Sequence, residues 1–177
     1  MPYFSHYPSP LGDLTLDSDG EHLTGLWFNP QKYHTAPLHG NRQEKNLPVF
    51  EQTRQWLDLY FNGRQPDFLP PLQMEGSGFR KAVWEILLGI PYGSTMTYGD
   101  IAQEIARQCG LKAMSAQAVG GAVGHNPISI IVPCHRVVGS NGSLTGYASG
   151  IDKKIKLLKI EKVDMSHFFI PRKGTAL

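Results

Sequence analysis

A proline- and glycine-rich segment, residues 66–78, most constrains how this chain can fold. It holds three prolines and two glycines, a composition that interrupts helices and strands. The charge also changes sign there: residues 1–77 carry five Lys and Arg against nine Asp and Glu, and residues 78–177 carry twelve against six. A chain of 177 residues can bury a core without disulfides. We therefore predict two domains, one in residues 1–77 that includes the linker and one in residues 78–177.

Residues 1–77 have the pattern of a small α/β domain with a short antiparallel sheet. Strand-like apolar runs bounded by turn residues cover Tyr3–Tyr7, Leu14–Leu16 and Leu23–Phe28. The polar stretch 29–46 has no period and predicts a loop. Residues 49–62 place apolar side chains at helical spacing and predict a helix that ends at an Asn-Gly pair.

Residues 78–177 predict a mostly helical domain. Apolar residues at helical spacing indicate helices over residues 79–88, 98–108, 115–124 and 150–163. The third helix consists mainly of alanine, valine and glycine, which lets it approach another surface closely. Together with the helix before it, this favours a helix-turn-helix unit about as strongly as ordinary tight packing.

The last predicted helix places an apolar stripe opposite a lysine-rich face. That face consists of Lys153, Lys154, Lys156, Lys159 and Lys162. The basic character of residues 78–177 fits a polyanionic partner. A solvated lysine face with no partner explains the same charges equally well.

The cysteine content and the apolar runs indicate a soluble, cytoplasmic protein. Cys109 and Cys134 are the two cysteines and form no C-x-x-C pair, which favours a reducing compartment. Residues 1–8 lack the basic start and apolar stretch of a signal peptide. The run Ile130-Ile131-Val132 is far too short to cross a bilayer. Neither a metal-ligand spacing nor a P-loop is present, so we expect no bound zinc.

Cys134 is the strongest candidate for chemistry, although a lone cysteine is more often a small buried hydrophobe. Pro133 stiffens the backbone before it, and His135 follows directly. Adjacent side chains on an extended chain point apart, so either the backbone bends sharply here or a water bridges the two groups. Both arrangements would let a neutral imidazole take the thiol proton.

A carboxylate is needed to fix the tautomer of such a histidine. The residues by themselves leave the choice open among three downstream candidates, Asp152, Glu161 and Asp164. If His135 is the base, the rate should fall as it protonates below about pH 6.5.

The segment Pro133-Cys134-His135-Arg136-Val137-Val138 resembles the active-site motif of the O6-alkylguanine-DNA alkyltransferases, the methylated-DNA–protein-cysteine methyltransferases. The likeness continues in Thr97-Tyr98-Gly99, Ala118–Ala122, Gly124–Pro127 and Gly146–Gly150, and spans residues 78–162. It implies an N-terminal α/β domain and a winged-helix-like DNA-binding domain. It further implies stoichiometric transfer of an alkyl group from O6 of a flipped-out guanine to Cys134, which inactivates the protein.

The resemblance also implies a role for each residue that matches the family motifs. Cys134 would be the nucleophile, His135 its water-mediated base, and Glu161 the carboxylate that orients the base. Asn126 would brace the turn before the motif, and Tyr98 would hydrogen-bond or protonate the departing guanine. Contacts to DNA or to the base are implied for Ala116, Gln117, Ala118, Gly120, Gly121, Arg136, Val137, Tyr147, Ala148 and Ser149. We also expect Arg136 to tie its loop to carboxylates or carbonyls.

The implied partner is double-stranded DNA that contains O6-alkylguanine, and activity on O4-alkylthymine stays open. The resemblance implies no cofactor, membrane or obligate protein partner, and we expect a monomer. Two positions depart from the family pattern. Gln117 stands where an arginine is usual, which predicts weaker or more salt-tolerant DNA binding, and Ser149 stands where glycine or a large aromatic is usual. The loop 107–114 is slightly longer than is common.

Three other functions compete with alkyl transfer. A non-catalytic lesion-binding relative would lack the nucleophile, whereas Cys134 is present. A cysteine hydrolase would turn over repeatedly, and its cysteine and histidine normally come from separate parts of the chain. A plain DNA-binding regulator would keep its function after substitution of Cys134.

Overall fold

The structure is a computed structural model that describes residues 2–29 and 41–171. Packing divides it into two units. The N-terminal unit comprises the described residues up to Glu75 together with Pro127–Ile131, and the C-terminal unit comprises Gly76–Asn126 and the described residues from Val132 onward. A single boundary between residues 77 and 78 does not anticipate that residues 127–131 pack with the N-terminal unit. The division of the chain into independent domains at that boundary stays a prediction.

A four-stranded sheet forms the N-terminal unit. Its first three strands are β1 (Tyr3–Ser9), β2 (Gly12–Ser18) and β3 (Leu23–Phe28), which are antiparallel neighbours as the apolar runs predicted. A fourth strand, β4 (Gln43–Glu44), pairs in parallel with β1 and corrects the prediction that residues 29–46 are only loop. Residues 30–40 of that stretch lie outside the described residues.

Helix α1 (Pro48–Phe61) packs its apolar face into the N-terminal core, one residue offset from the prediction. Phe50, Leu57 and Tyr60 are fully buried on that face. The proline at the first turn suits a helix start, because its missing N–H would have no partner there. Residues 127–131 run parallel beside the edge strand β3, where Leu26 N–H donates to Pro127 O at 2.9 Å and Ser129 N–H to Leu26 O at 2.8 Å.

The C-terminal unit is built from four helices and a two-stranded sheet. The helices are α2 (Gly78–Leu88), α3 (Tyr98–Cys109), α4 (Ala116–Gly124) and α5 (Ile151–Ile160). The strands β5 (Met96–Thr97) and β6 (Val137–Val138) pair in parallel. The mixed α/β fold, with its small N-terminal sheet and mostly helical C-terminal unit, confirms the predicted fold class.

Helices α3 and α4 start at side-chain caps and pack against each other. Thr97 and Asp100 form a capping box at α3, and Ser115 accepts from Ala118 N–H at α4. Gly120 faces the Tyr98 ring, and a Cβ there would make an ordinary van der Waals contact with it at 3.9 Å. These contacts give the helix-turn-helix arrangement that the small residues favoured.

Helix α5 differs from its prediction in two respects. It ends at Ile160, three residues earlier than predicted, because Lys162 adopts a positive φ of 59°. It also does not present all its lysines to solvent. Lys154 is fully buried, so the prediction of a solvated lysine face is wrong at this residue.

Candidate active site

The site is centred on a sharp bend that exposes little of its cysteine. Pro133 has φ −83° and ψ 65°, and Cys134–Arg136 then form one turn of 3-10 helix. Only 7% of Cys134 is accessible to solvent. The backbone therefore bends sharply here, and a water that bridges Cys134 and His135 stays a prediction. Because the backbone forms a 3-10 turn and not an extended strand, the adjacent cysteine and histidine side chains do not alternate between opposite faces.

His135 and Glu161 form a buried pair at the back of this turn. His135 Nε2 lies 2.5 Å from Glu161 Oε2, and neither side chain is exposed. Hydrogen bonds and charges from His135 and Arg136 outweigh the effect of burial and lower the pKa of Glu161 to about 2. An ionised carboxylate can only accept, so Nε2 carries the hydrogen and Nδ1 is the basic nitrogen of the ring.

Glu161 also organises the surrounding chain through its second oxygen. Oε1 accepts from Arg136 Nε at 2.7 Å and from Gly93 N–H at 3.0 Å. Arg136 additionally donates from Nη1 to Ile90 O at 2.7 Å. The guanidinium is therefore held by a carboxylate and a carbonyl, as expected for tying the loop. The second expectation, that Arg136 meets a base, stays a prediction.

Burial governs the ionisation of the histidine and the cysteine. It lowers the pKa of His135, and the Glu161 carboxylate opposes that shift without reversing it. It raises the pKa of Cys134, while the Asn126 side chain and the Lys154 charge act in the opposite direction. The thiol is thus protonated at rest, and the groups that surround it favour the thiolate once a base removes the proton.

Asn126 and Tyr98 approach the cysteine from two helix ends. Asn126 Nδ2 donates to Val132 O at 2.8 Å and fixes the backbone two residues before Cys134. Tyr98, the first residue of α3, donates its hydroxyl to Thr145 O at 3.1 Å. Burial, followed by the charge of an ionised Cys134, raises the pKa of Tyr98 to about 12. Tyr98 therefore stays a hydrogen-bond donor at neutral pH.

The loop 145–149 lies over Tyr98 and carries the residues expected to cover a base. Gly146 has φ 77°, and a Cβ there would lie 2.5 Å from the Tyr98 hydroxyl oxygen, so only glycine fits. Tyr147 is buried, whereas Ala148 and Ser149 are partly exposed. Ser149 Oγ is itself buried and has no hydrogen-bond partner among the described residues.

The α4 residues expected to contact DNA lie on the outer side of that helix, apart from the buried cluster, whereas Arg136 and Val137 are buried beside Cys134. Ala116, Gln117, Ala118 and Gly121 are exposed, and Gly120 is partly exposed. Val119, Ala122 and Val123 form the opposite, buried face. The two carboxylates that competed with Glu161 are both exposed, namely Asp152 and Asp164.

Lys154 is the site residue that the sequence reasoning missed. Its Nζ donates to Val137 O at 2.5 Å and to Thr145 O at 2.7 Å. Burial lowers the pKa of Lys154 to about 8, and the charge of Cys134 partly offsets this. A usable signal was present: Lys154 lies three residues after Ile151 and three before Leu157, on the apolar stripe of the helix.

These features place the chain in a class of proteins in which a helix-turn-helix pair lies beside a buried site made of a cysteine, a histidine and a glutamate. The model of the 6-O-methylguanine DNA methyltransferase DNA binding domain matches residues 78–163, and that of the 6-O-methylguanine DNA methyltransferase ribonuclease-like domain matches residues 3–74. Within the described residues, no helix is long and apolar enough to span a membrane.

Individual relatives match over nearly the whole chain. The methylated-DNA–protein-cysteine methyltransferase of Haemophilus influenzae is 43% identical over 162 residues, which cover 91% of this chain and 87% of the relative. A crystal structure of the Mycobacterium tuberculosis O6-methylguanine methyltransferase is 41% identical with a TM-score of 0.77, covering 98% of this chain and 97% of that one. A structure of the M. tuberculosis OGT in complex with DNA is 42% identical with a TM-score of 0.77, covering 90% and 92%. This chain belongs to the 6-O-methylguanine DNA methyltransferase family.

Proposed function

We propose that this protein repairs DNA by transferring an alkyl group from O6 of guanine to Cys134 in a single turnover. The observation that carries the proposal is that Cys134 and His135 lie buried on one turn, with His135 paired to Glu161 at the end of α5. These residues supply a nucleophile, a base with a defined tautomer and an anion that holds the base. Relatives named for this reaction match over most of the chain.

The reaction needs one displacement at the alkyl carbon and the passage of one proton from the thiol, by way of His135, to the departing guanine. The Cys134 thiol gives its proton through a water to His135 Nδ1, and the thiolate attacks the alkyl carbon. The S–C bond forms as the C–O6 bond breaks, and the electron pair stays with guanine, which takes up the proton that the thiol released. A thioether has no comparable leaving group, so Cys134 stays alkylated and each protein acts once.

Tyr98 and the loop 145–149 hold the guanine in this proposal. The Tyr98 hydroxyl now donates to Thr145 O, so it must turn from that carbonyl to donate to the base. Backbone groups near Cys134 and Val137 and the loop residues Tyr147, Ala148 and Ser149 then surround the base edge. The base has to leave the helix stack, because O6 cannot be reached inside a duplex.

The exposed face of α4 contacts the duplex in this proposal. Gln117 fills the space left by the flipped base, with Ala116, Ala118, Gly120 and Gly121 keeping the helix close to the groove. The protein works as a cytoplasmic monomer without a cofactor or obligate partner. Sedimentation with and without DNA tests the monomer, and a stable dimer in the absence of DNA would contradict it.

The deciding experiment measures intact and peptide masses after mixing the protein with an oligonucleotide that carries one O6-methylguanine. We expect one added methyl on the peptide that contains Cys134, saturating at one per protein. Cys109→Ser should behave like the unsubstituted protein because Cys109 is exposed and remote in sequence from the turn. Repeated product release without mass gain would support a hydrolase, and tight binding without mass gain would support a lesion-binding protein.

A further inference from the structure

Lys154 is a buried cation without a carboxylate partner in the described part of the chain. Its side chain is fully excluded from solvent, and both of its hydrogen bonds go to backbone carbonyls. Burying an ammonium group without an anion is strongly unfavourable. Helix stability gives no reason for the charge, since an apolar residue would fit the same stripe beside Leu157 and Leu158.

The two carbonyls that Lys154 binds belong to the two segments that enclose the cysteine. Val137 directly follows the turn Cys134–Arg136, and Thr145 begins the loop over Tyr98. Thr145 O therefore accepts from both Lys154 Nζ and the Tyr98 hydroxyl. If Tyr98 turns to a guanine, the bond from Lys154 still holds that carbonyl in place.

The ionisable groups that face Lys154 explain what its charge does. On the 3-10 turn these are Cys134, whose thiolate the ammonium favours, and His135, whose protonated form it disfavours. On α3 the relevant group is Tyr98, which stays protonated at neutral pH. Glu161 is paired with His135 and Arg136, and Asp152 on the same helix is exposed. The thiolate of Cys134 is thus the anion that the ammonium can stabilise.

We propose that Lys154 is a positioning residue of the alkyl-transfer site. Its fixed ammonium stabilises the Cys134 thiolate during attack, and it holds Thr145 in place while Tyr98 donates a hydrogen bond to the guanine. This inference rests on the proposed function for its role in repair. The electrostatic effect on Cys134 holds for any electrophile, so it can be tested without DNA.

The first test compares Lys154→Met, Lys154→Arg and Lys156→Met. Lys156 is exposed on the same helix and controls for the loss of one positive charge. The rate at which iodoacetamide alkylates Cys134 is followed by peptide mass from pH 6 to 10. We expect the midpoint of the rate in Lys154→Met to rise by about one pH unit or more. Lys154→Arg should recover much of the shift, and Lys156→Met should match the unsubstituted protein.

Methyl transfer from O6-methylguanine DNA is then measured for the same variants under single-turnover conditions. At pH 7 we expect Lys154→Met to be slower by about tenfold or more, with DNA affinity unchanged. An unshifted midpoint in a folded Lys154→Met protein would overturn the proposal. Absence of methyl transfer by the unsubstituted protein would instead overturn the proposed function and leave the iodoacetamide result valid.

A second measurement does not depend on the folding of Lys154→Met. The Lys154 ammonium is titrated by NMR in the unsubstituted protein before and after iodoacetamide has converted Cys134 to a thioether. We expect the titration of Lys154 to change after alkylation, because the ammonium is then no longer coupled to an ionisable thiol. Identical midpoints in the two forms would show that the groups are uncoupled and would refute the inference.

Discussion

His135 and Glu161 meet at 2.5 Å, Nε2 to Oε2, with both side chains fully excluded from solvent. Because Glu161 also accepts from Arg136, its negative charge is shared between two neighbouring residues of one turn. The Glu161 carboxylate therefore orients His135, but it stabilises a doubly protonated imidazole less than an unshared carboxylate would. This relationship makes the imidazole a neutral base with a single available tautomer.

The first prediction concerns acid pH. Burial lowers the pKa of His135, so the base stays neutral as the pH falls through about 6.5, where a free histidine would protonate. We expect the single-turnover transfer rate to persist below that value, which revises the expectation from the sequence of a fall below pH 6.5. Quench-flow rates from pH 5 to 8 check this, and a midpoint at 6.5 or above would contradict the burial effect.

The stability of the protein should also fall as the medium becomes acidic. The unfolded state binds a proton at His135 near its ordinary pKa, whereas the folded state does not. Stability is therefore present above about pH 6.5 and is lost as the pH falls below it. Glu161, whose pKa is lowered to about 2, adds a further loss of stability as the pH falls from the ordinary pKa of a glutamate to about 2. Guanidinium unfolding at several pH values measures both losses of stability. His135→Gln should remove the loss that begins below about pH 6.5.

Glu161→Gln should damage both stability and transfer. The neutral amide leaves Arg136 as a buried cation without its anion, at a cost of about 3–5 kcal/mol. It also no longer defines the tautomer of His135, so the transfer rate should fall by about tenfold or more. Denaturant unfolding and single-turnover assays give the two values. Asp152→Asn and Asp164→Asn change exposed carboxylates and serve as controls that should leave both quantities unchanged.

Gly146→Ala tests the close approach of Tyr98 to the loop. Its Cβ would lie 2.5 Å from the Tyr98 hydroxyl oxygen at a φ of 77°, so we expect a loss of about 2–3 kcal/mol in the free energy of unfolding. Gly110→Ala, at φ 66° with open space around it, should lose only about 1 kcal/mol from backbone strain. Thermal melts compare the two. Equal losses would show that the Tyr98 hydroxyl does not restrict this position.

Gln117→Arg should tighten DNA binding. Gln117 is exposed at the second position of α4, so an added cation there can reach a phosphate or the vacated stack. We expect affinity to rise several-fold and to fall more steeply with salt. Fluorescence anisotropy at two salt concentrations measures both effects. Gln52→Arg adds the same charge to an exposed position of α1, and an equal gain there would indicate a nonspecific charge effect.

The secondary structure followed from sequence wherever local signals were strong. Short apolar runs between turn residues predicted β1 to β3, and capping residues at Thr97 and Ser115 start α3 and α4 as local chemistry dictates. Strand β4 was missed because two polar residues show no period, and their pairing with β1 depends on a distant segment. The positive φ of 71° at the buried Ile130 was equally hidden, since a β-branched residue opposes it.

The candidate site was partly predictable for similar reasons. Cys134 and His135 stand out in the sequence, while Glu161 was selected among three carboxylates by resemblance, and its contact with His135 appears only in three dimensions. Lys154 was misassigned because charge dominated the interpretation of its helix. Its burial depends on carbonyls from Val137 and Thr145, which no helical period reveals. The roles assigned to these residues stay predictions until the transfer assays are done.

The indole of Trp84 gives the protein an internal optical probe. Trp84 is 1% exposed on α2 and donates from Nε1 to Ala122 O, 2.9 Å away on α4. A displacement of α4 relative to α2 would lengthen or break this bond and alter the emission of that indole. Trp27 and Trp56 belong to the N-terminal unit, so replacing them with phenylalanine would isolate the signal. Docking on a duplex and the aftermath of alkylation could then be followed in real time without attaching a dye.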